Sequence, residues 1–236
     1  MSPKDGMPGL SLNQVGPTCR SAWPRGSASL PGSWPMSRSE WNQALPLELS
    51  ATCKRLGIGL TRSVLVVRIA RQIVELFQRP CAAPRSCFMP PCPAAVAGKR
   101  HHFVRRFNCS TSRFGIGQEQ GSNRTPLGLH RIVEKIGGGW PAGAVFESRR
   151  MIGFTWSGIP NASIAHRILW LDGLQPGLNR GGSVDSHRRY MYIHGRGDER
   201  GLGRPASCGC IHLAARDLIP LFDRIPSGTL VWIAAD

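Results

Sequence analysis

The sequence predicts a mainly β protein in which many short strands are followed by one helix near the carboxyl end. Short apolar runs separated by Gly, Pro and Asn continue from residue 101 to the end of the chain. The 28 Gly and 19 Pro among 236 residues favour many turns over a helical bundle. Hydrophobic residues make up 41% of the chain, which is enough for a core and excludes a wholly disordered chain or a coiled coil.

Composition divides the chain into unequal parts. Residues 1–60 are rich in Ser, Pro, Gly and Arg and are predicted to be an irregular, mobile extension, whereas residues 61–236 form the folded domain. Within that domain, residues 79–100 contain five Pro and three Cys and are predicted to be a loop insertion. Three Cys in this segment and two His directly after it are spaced unlike the ligands of any common metal site. They are Cys81, Cys87, Cys92, His101 and His102. Neither a metal nor another cofactor is therefore expected.

The elements can be predicted in chain order. Residues 64–77 fit either one helical stripe or two strands that turn near residues 70–71, and their β-branched side chains favour the hairpin. Residues 214–224 predict a helix with an apolar face, and Pro220 requires that helix to be short or kinked. Six further runs predict strands. They are residues 103–109, 128–136, 144–146, 168–171, 190–194 and 230–234.

The chain is strongly basic. Thirty Lys and Arg against 14 Asp and Glu give a net charge of +16, which attracts polyanions such as nucleic acid, anionic lipid or cell-wall polymer. The excess is spread over both halves, and no nucleic-acid-binding motif accompanies it, so nucleic acid is not an expected partner. No transmembrane segment is predicted, and no secretory signal is visible at the amino terminus.

The densest group of chemically reactive residues lies near the carboxyl end. Cys210 follows Gly209 and lies sixteen positions after His194. A thiol is a good nucleophile only as a thiolate, and a neighbouring histidine promotes that state near neutral pH. Gly209 permits a tight turn that exposes the sulfur and directs backbone N–H groups towards an oxyanion. The alternative is a packed thiol with an unrelated imidazole. His166 and His187 lie in polar segments and are expected at the surface.

Residues 207–213 read Ser-Cys-Gly-Cys-Ile-His-Leu. This string resembles the signature Ser-His-Gly-Cys-(Ile/Val)-(Arg/Asn)-Leu of YkuD-type L,D-transpeptidases. The pair His194-Gly195 resembles the His-Gly that precedes that signature, and its distance from Cys210 lies within the family's usual gap. Three further blocks resemble the family's strands and loops, and these are residues 110–112, 125–128 and 228–233.

The resemblance covers residues 64–77 and about 101–236. It implies an L,D-transpeptidase-like β-sandwich or barrel with a short helix after the catalytic Cys motif. It also implies a monomeric, cysteine-dependent L,D-transpeptidase that acts on peptidoglycan stem peptides through a thioester acyl-enzyme. Such a protein works in the periplasm or cell envelope, although no signal peptide is visible here.

The same resemblance assigns roles to individual residues. Cys210 would be the nucleophile and His194 the general base. The residues assigned to the oxyanion site and pocket are Ser207, Cys208 and Gly209. The residues assigned to substrate binding are Tyr192, Gly195, Arg204 and His212, and Gly195 would orient the histidine through its carbonyl.

Two positions depart from the family pattern. Cys208 stands where the family usually has His, and His212 stands where it has Arg or Asn. One hypothesis is that Cys208 forms a disulfide bond with Cys210 under oxidising conditions. His212 would contact a substrate carboxylate only when its ring is protonated. Two alternative functions remain open: an L,D-carboxypeptidase, and a catalytically impaired relative that binds cell-wall peptide.

Overall fold

The computed structural model describes residues 44–80 and 100–236. These residues form two α-helices and ten strands. In chain order the elements are α1 (Leu47–Arg55), β1 (Ser63–Arg68), β2 (Ile73–Gln78), β3 (His102–Ser110), β4 (Gly128–Ile136), β5 (Ala144–Glu147), β6 (Arg150–Phe154), β7 (Ala165–Gly173), β8 (Tyr192–Gly195), β9 (Ile211–Leu213), α2 (Ala215–Arg224) and β10 (Leu230–Ala234).

Eight of these strands close into a barrel. Their order is β4-β10-β1-β2-β3-β9-β8-β7, and β7 pairs with β4 to complete the ring. The pairs β1–β10 and β8–β9 are parallel, and the other pairs are antiparallel. Strand β5 pairs with β7, and β6 pairs with β5, so the β5–β6 hairpin extends from the ring. Because the ring is closed, each of these eight strands has a hydrogen-bonded neighbour on both sides. The prediction of a mainly β fold is confirmed.

The core is formed by side chains of the barrel strands that pack against one another and against side chains of α2. Leu65, Ile193 and Ile211 point inward, because successive side chains of a strand alternate between its two faces. Three side chains of α2, namely Leu218, Leu221 and Phe222, are buried against the same cluster, as its predicted apolar face requires. Burying each such side chain stabilises the fold by about 1.5–3 kcal/mol.

The hairpin interpretation of residues 64–77 is correct. Strands β1 and β2 pair antiparallel from Ser63 opposite Gln78 to Arg68 opposite Ile73, and the turn between them contains Gln72 with a φ of +51°. The predicted strands at 128–136 and 230–234 match the observed bounds. The predicted helix begins one residue later than expected and retains Pro220 within its ten residues.

Three elements were not predicted. Helix α1 lies within the predicted extension 1–60, but Leu49 is fully buried and the helix packs against β4, so this part of the extension is folded. Its pattern is too short and too polar to be recognised from periodicity. Strands β6 and β9 were missed because β6 has no fully buried residue and β9 has three residues.

Other sequence predictions lie outside the described residues. These are the structure of residues 1–43 and most of the predicted insertion at 79–100, including Cys81, Cys87 and Cys92. Within the two described ranges, no helix has both the length and the apolar character needed to cross a bilayer.

Candidate active site

The parallel strands β8 and β9 bring the candidate catalytic residues to one face of the barrel. Their register aligns Ile193 with Ile211 and His194 with His212. Because both isoleucines point into the core, the alternation of side chains places His194 and His212 on the outer face. Cys210 immediately precedes β9 and packs against the outer cluster around β5, β7 and β8. His194 therefore lies on β8, and Cys210 lies on the segment that leads into the neighbouring strand β9.

His194 is held in one tautomer. Its Nδ1 lies 2.8 Å from the carbonyl oxygen of Gly195, and since a carbonyl only accepts, Nδ1 carries the proton and Nε2 has a free lone pair. The ring contacts Tyr192 and His212 edge to face, with centroid distances of 6.3 and 4.6 Å. Burial lowers the pKa of His194 to about 4, so the imidazole is neutral at pH 7. This arrangement leaves Nε2 able to accept a proton.

The Cys210 thiol is partly exposed and free. Its Sγ donates a hydrogen bond of 3.5 Å to the carbonyl of Tyr190, and within residues 44–80 and 100–236 no hydrogen bond joins this sulfur to His194. Burial raises the pKa of the thiol to about 11, although the N–H of Tyr192 and the charge of Arg189 act in the opposite direction. The thiolate expected at neutral pH is therefore not the resting state. Deprotonation must accompany nucleophilic attack.

A network of short hydrogen bonds fixes the loop that presents Cys210. Ser207 Oγ accepts the N–H of Gly209 at 3.1 Å and donates to the carbonyl of Cys210 at 2.6 Å, so this hydroxyl serves the local turn. Thr125 Oγ1 donates to the carbonyl of Gly209 at 2.9 Å and accepts the N–H of Ser112 at 3.0 Å. Two of the sequence blocks that resemble the family thus support the same loop.

The backbone of this loop offers donors for an oxyanion. The N–H of Gly209 is already bonded to Ser207, whereas the N–H groups of Cys208 and Cys210 have no acceptor in the described part of the chain. The Cys208 thiol is exposed, and both cysteines are free rather than joined in a disulfide. Two backbone donors close to the sulfur are what an acyl-transfer site needs to stabilise a tetrahedral intermediate.

Replacing Gly209 by alanine is expected to reduce acylation of Cys210 by about a hundredfold, because a small displacement of a nucleophile has effects of that size. Gly209 has a φ of +118°, and an added Cβ would lie 3.2 Å from Met191 Cε and 3.4 Å from the carbonyl oxygen of Arg124. Single-turnover acylation and thermal unfolding would be measured together. Gly138→Ala is the control, since a Cβ there makes only ordinary contacts. Unchanged acylation in Gly209→Ala would contradict the prediction.

Two arginines that the sequence did not indicate lie beside the site. Arg189 donates to the carbonyls of Gly117 and Arg124 at 3.3 and 2.7 Å, and its charge acts on Cys210. Arg149, in the β5–β6 turn, places its guanidinium 4.7 Å from the ring centre of Trp170 and is exposed. No spacing in the sequence reveals either residue, because both reach the site from separate turns and loops.

His166 is buried, and its expected surface position was wrong. Its Nδ1 accepts the N–H of Gly143 at 2.7 Å, so the proton is on Nε2, which donates to the carbonyl of Arg196 at 3.0 Å. The ring thereby connects β7 to the start of β5 and to the chain that follows His194. An added Cβ at Gly195 would come within 2.5 Å of this ring, so glycine is required next to His194.

The residues assigned to substrate binding lie in three environments. Tyr192 is buried in the outer aromatic cluster, and Gly195 bonds to His194. His212 is buried, and desolvation followed by the proximity of His194 lowers its pKa to about 2, which opposes the protonated state that binding a carboxylate would require. Arg204 is exposed and lines a pocket together with His212.

The fold and the site define a β-barrel protein with a neutral histidine on one strand and a cysteine at the entrance to the neighbouring strand, an arrangement suited to acyl transfer through a thiol. Residues 97–233 match the family model of the L,D-transpeptidase catalytic domain, YkuD. This match covers more than half of the chain, and the chain belongs to that family. No curated protein sequence matches the chain.

Solved structures with similar folds include three proteins at low sequence identity. Bd1075 of Bdellovibrio bacteriovorus is 14% identical with a TM-score of 0.43, over 75% of this chain and 48% of that one. L,D-transpeptidase 3 of Mycobacterium tuberculosis, solved with a faropenem-derived adduct, is 15% identical with a TM-score of 0.39, over 73% and 60%. An L,D-transpeptidase of Mycobacterium smegmatis is 16% identical with a TM-score of 0.38, over 74% and 59%. The chain thus spans about half to three fifths of these proteins.

Proposed function

We propose that this chain is a cysteine-dependent L,D-transpeptidase that acts on peptidoglycan stem peptides through a thioester acyl-enzyme. The proposal is supported by the position of His194 on the outer face of β8, with Nε2 unprotonated, and by that of Cys210 directly before the paired strand β9. Family membership supports the substrate class, because L,D-transpeptidases act on peptidoglycan peptides. The cell envelope is the location that this substrate requires.

In the first half-reaction, Cys210 Sγ attacks the carbonyl carbon between the diamino acid at stem position three and the following D-alanine. His194 Nε2 takes the thiol proton as the S–C bond forms, since the resting thiol and imidazole are both neutral. The backbone N–H groups of Cys208 and Cys210 stabilise the oxyanion. The imidazolium then protonates the leaving amine of D-alanine, the C–N bond breaks, and the thioester remains on Cys210.

In the second half-reaction, an amine attacks the thioester carbonyl. His194 Nε2 removes a proton from the entering amine and returns one to the sulfur as the C–S bond breaks. Water in place of the amine makes the same chain an L,D-carboxypeptidase. Arg204 and His212 line a pocket next to the histidine, and we propose that the entering amine binds there.

A second candidate is a catalytically impaired relative that binds cell-wall peptide. The hydrogen bond from Cys210 Sγ to the carbonyl of Tyr190 favours it, because this bond directs the thiol proton away from His194. The substitution of Cys208 for the family's histidine favours it as well. In this case the pocket lined by Arg204 and His212 and the outer face of β8 and β9 would serve only to bind cell-wall peptide.

One reaction with mass analysis distinguishes these functions. The chain is incubated with a stem tetrapeptide, with and without D-methionine as the acceptor amine. A peptide that has exchanged its terminal D-alanine for D-methionine, together with a protein of increased mass, supports the transpeptidase. A shortened tripeptide under both conditions supports the carboxypeptidase. Saturable peptide binding without product or protein adduct supports the impaired relative and contradicts the proposed activity.

A further inference from the structure

Arg189 connects two loops beside Cys210. It lies in the loop before β8, and the carbonyl of the next residue, Tyr190, accepts the hydrogen bond from Cys210 Sγ at 3.5 Å. The guanidinium of Arg189 donates to the carbonyls of Arg124 and Gly117 at 2.7 and 3.3 Å, and both carbonyls belong to the loop before β4. One side chain therefore links the loop that bonds to the thiol with a second loop.

The loop before β4 supports the turn that presents Cys210. Thr125 Oγ1 donates to the carbonyl of Gly209 at 2.9 Å. A Cβ added to Gly209 would lie 3.4 Å from the carbonyl oxygen of Arg124, and this is the oxygen that accepts the shorter hydrogen bond from Arg189. A displacement of the loop would therefore move the nucleophile, and reaction rates depend steeply on the position of a nucleophile.

The backbone is left-handed in both of these loops. Tyr190 has a φ of +55°, and Asn123 has a φ of +56°. A bulky residue other than glycine is strained in this conformation and keeps it only where surrounding contacts hold the chain. The N–H of Tyr190 donates to the carbonyl of His187 at 3.1 Å, and the carbonyl of Asn123 accepts the Ser112 hydroxyl at 2.5 Å. The hydrogen bonds of Arg189 add a further constraint that holds both loops in this form.

The loop before β8 is anchored on a buried histidine. Ser186 Oγ donates to Nε2 of His130 at 2.9 Å, because Nδ1 of that ring already donates to the carbonyl of Gly128 at 3.0 Å. Both side chains are fully buried, and burial lowers the pKa of His130 to about 4, so the ring is neutral at pH 7. The N–H of Met191 donates to the carbonyl of Ser186 at 3.1 Å and closes the turn that contains Arg189. The arginine side chain therefore extends from a fixed backbone.

Arg189 is a half-buried cation. Within residues 44–80 and 100–236 no carboxylate forms an ion pair with it. Glu119 acts on it only at longer range. A guanidinium that no carboxylate contacts leaves its charge available to act on other groups nearby.

The charge of Arg189 acts on the reacting sulfur. Burial raises the pKa of the Cys210 thiol, and the Cys208 thiol adds to this effect. The N–H of Tyr192 and the charge of Arg189 lower that pKa. Burial also lowers the pKa of His194 to about 4 and raises the pKa of the Tyr192 hydroxyl, so both side chains are neutral at pH 7. Arg189 is therefore the cation that acts on this thiol when the reaction begins.

We propose that Arg189 is a positioning residue for acyl transfer, which holds the turn at Gly209 in place and stabilises the negative charge that forms as Cys210 reacts. This inference rests on the proposed function. When His194 Nε2 takes the thiol proton, the electron pair of the S–H bond forms the S–C bond and the carbonyl π electrons move to oxygen. An imidazolium and an oxyanion thus arise from neutral groups, and Arg189 itself neither gains nor loses a proton. A cation fixed beforehand stabilises the new negative charge without reorganisation.

The first test is acylation by a stem tetrapeptide in two variants, Arg189→Gln, which removes the charge, and Arg189→Lys, which keeps it. We expect Arg189→Gln to lower the maximal rate of acylation by about a hundredfold, the effect of a displaced nucleophile. The peptide concentration at half-maximal rate should change little, because Arg189 bonds to carbonyls of the protein itself. A lysine ammonium lacks the planar fork that reaches both carbonyls, so Arg189→Lys should lose about tenfold. Arg188→Gln removes an exposed charge from the preceding residue and is the matched control, which should keep the wild-type rate.

The second test is alkylation of Cys210 by iodoacetamide, which needs no catalysis. It is measured in a Cys208→Ala background between pH 7 and 10, where the rate follows the thiolate fraction. We expect Arg189→Gln to lower this rate by about tenfold, the smaller end of the effect of a neighbouring opposite charge. A loop that is merely loosened predicts the reverse, because water at the sulfur would return its pKa from about 11 towards the ordinary value and speed alkylation. Arg189→Lys and Arg188→Gln should keep the rate of the background protein.

The outcomes distinguish this inference from the proposed function. If the wild-type chain is not acylated but Arg189→Gln slows alkylation, only the proposed function fails. Alkylation in Arg189→Gln that is as fast as in the background protein, or faster, would overturn the inference, and so would unchanged acylation. If thermal unfolding shows that Arg189→Gln does not fold, Arg189→Lys decides the question. Slower acylation with unchanged alkylation then supports the inference, and wild-type acylation overturns it.

Discussion

Cys210→Ala is expected to abolish acylation, with a loss of about a thousandfold or more, because removing a nucleophile removes the covalent intermediate itself. The wild-type chain should gain the mass of one acyl group when incubated with a stem tetrapeptide or a carbapenem, and the variant should gain none. The residue is partly exposed at the end of a loop rather than inside the barrel. Thermal unfolding should therefore change little, so that the loss can be assigned to chemistry.

Cys208→Ala is the matched control for the thiol. Cys208 is exposed and free, two positions from Cys210, so any adduct caused by general thiol reactivity would form there. The adduct should persist in Cys208→Ala and should map to the peptide that contains Cys210. An adduct in Cys210→Ala of the same mass and rate as in the wild type would disprove the assignment of the nucleophile.

His194→Gln is expected to lower the acylation rate by about a hundredfold to ten-thousandfold, the range for loss of a general base. The pKa of His194 is lowered to about 4, so Nε2 accepts a proton at any higher pH, and the wild-type rate should be level until the pH falls towards 4. The variant must react through the small fraction of thiolate. Its rate should rise with pH over the whole range towards the thiol pKa of about 11, and the level region and the break near pH 4 should disappear.

Pre-steady-state acylation between pH 4 and 10 measures both changes. His102→Gln is the control, since His102 lies at the opposite end of β3 from the residues that pair with β9. It should keep the wild-type rate and acid limb. A wild-type acid limb near 6.5 would show that His194 is not desolvated as the structure indicates, and an unchanged rate in His194→Gln would remove it from the mechanism.

The site was predictable to the extent that its residues are neighbours in the sequence. The turn around Gly209 and the position of Cys210 after it follow from a short local string, and so does the pairing of His194 with the Gly195 carbonyl. The environment of these groups was not predictable. The raised pKa of the thiol and the lowered pKa of the imidazole depend on how much water the β5–β6 hairpin and the outer cluster exclude. Those residues come from distant parts of the chain.

The sequence by itself determined the strands at 128–136 and 230–234 and the apolar face of α2, and it favoured the β-hairpin at 64–77, because β-branched side chains, turn residues and periodicity act over a few residues. Only the tertiary structure decided the ring closure by β4 and β7, the docking of α1 through Leu49, and the hydrogen bond from His166 to the Arg196 carbonyl. Each of these depends on contacts between residues far apart in the chain. Their free energy comes from burial and hydrogen bonds that no local pattern encodes.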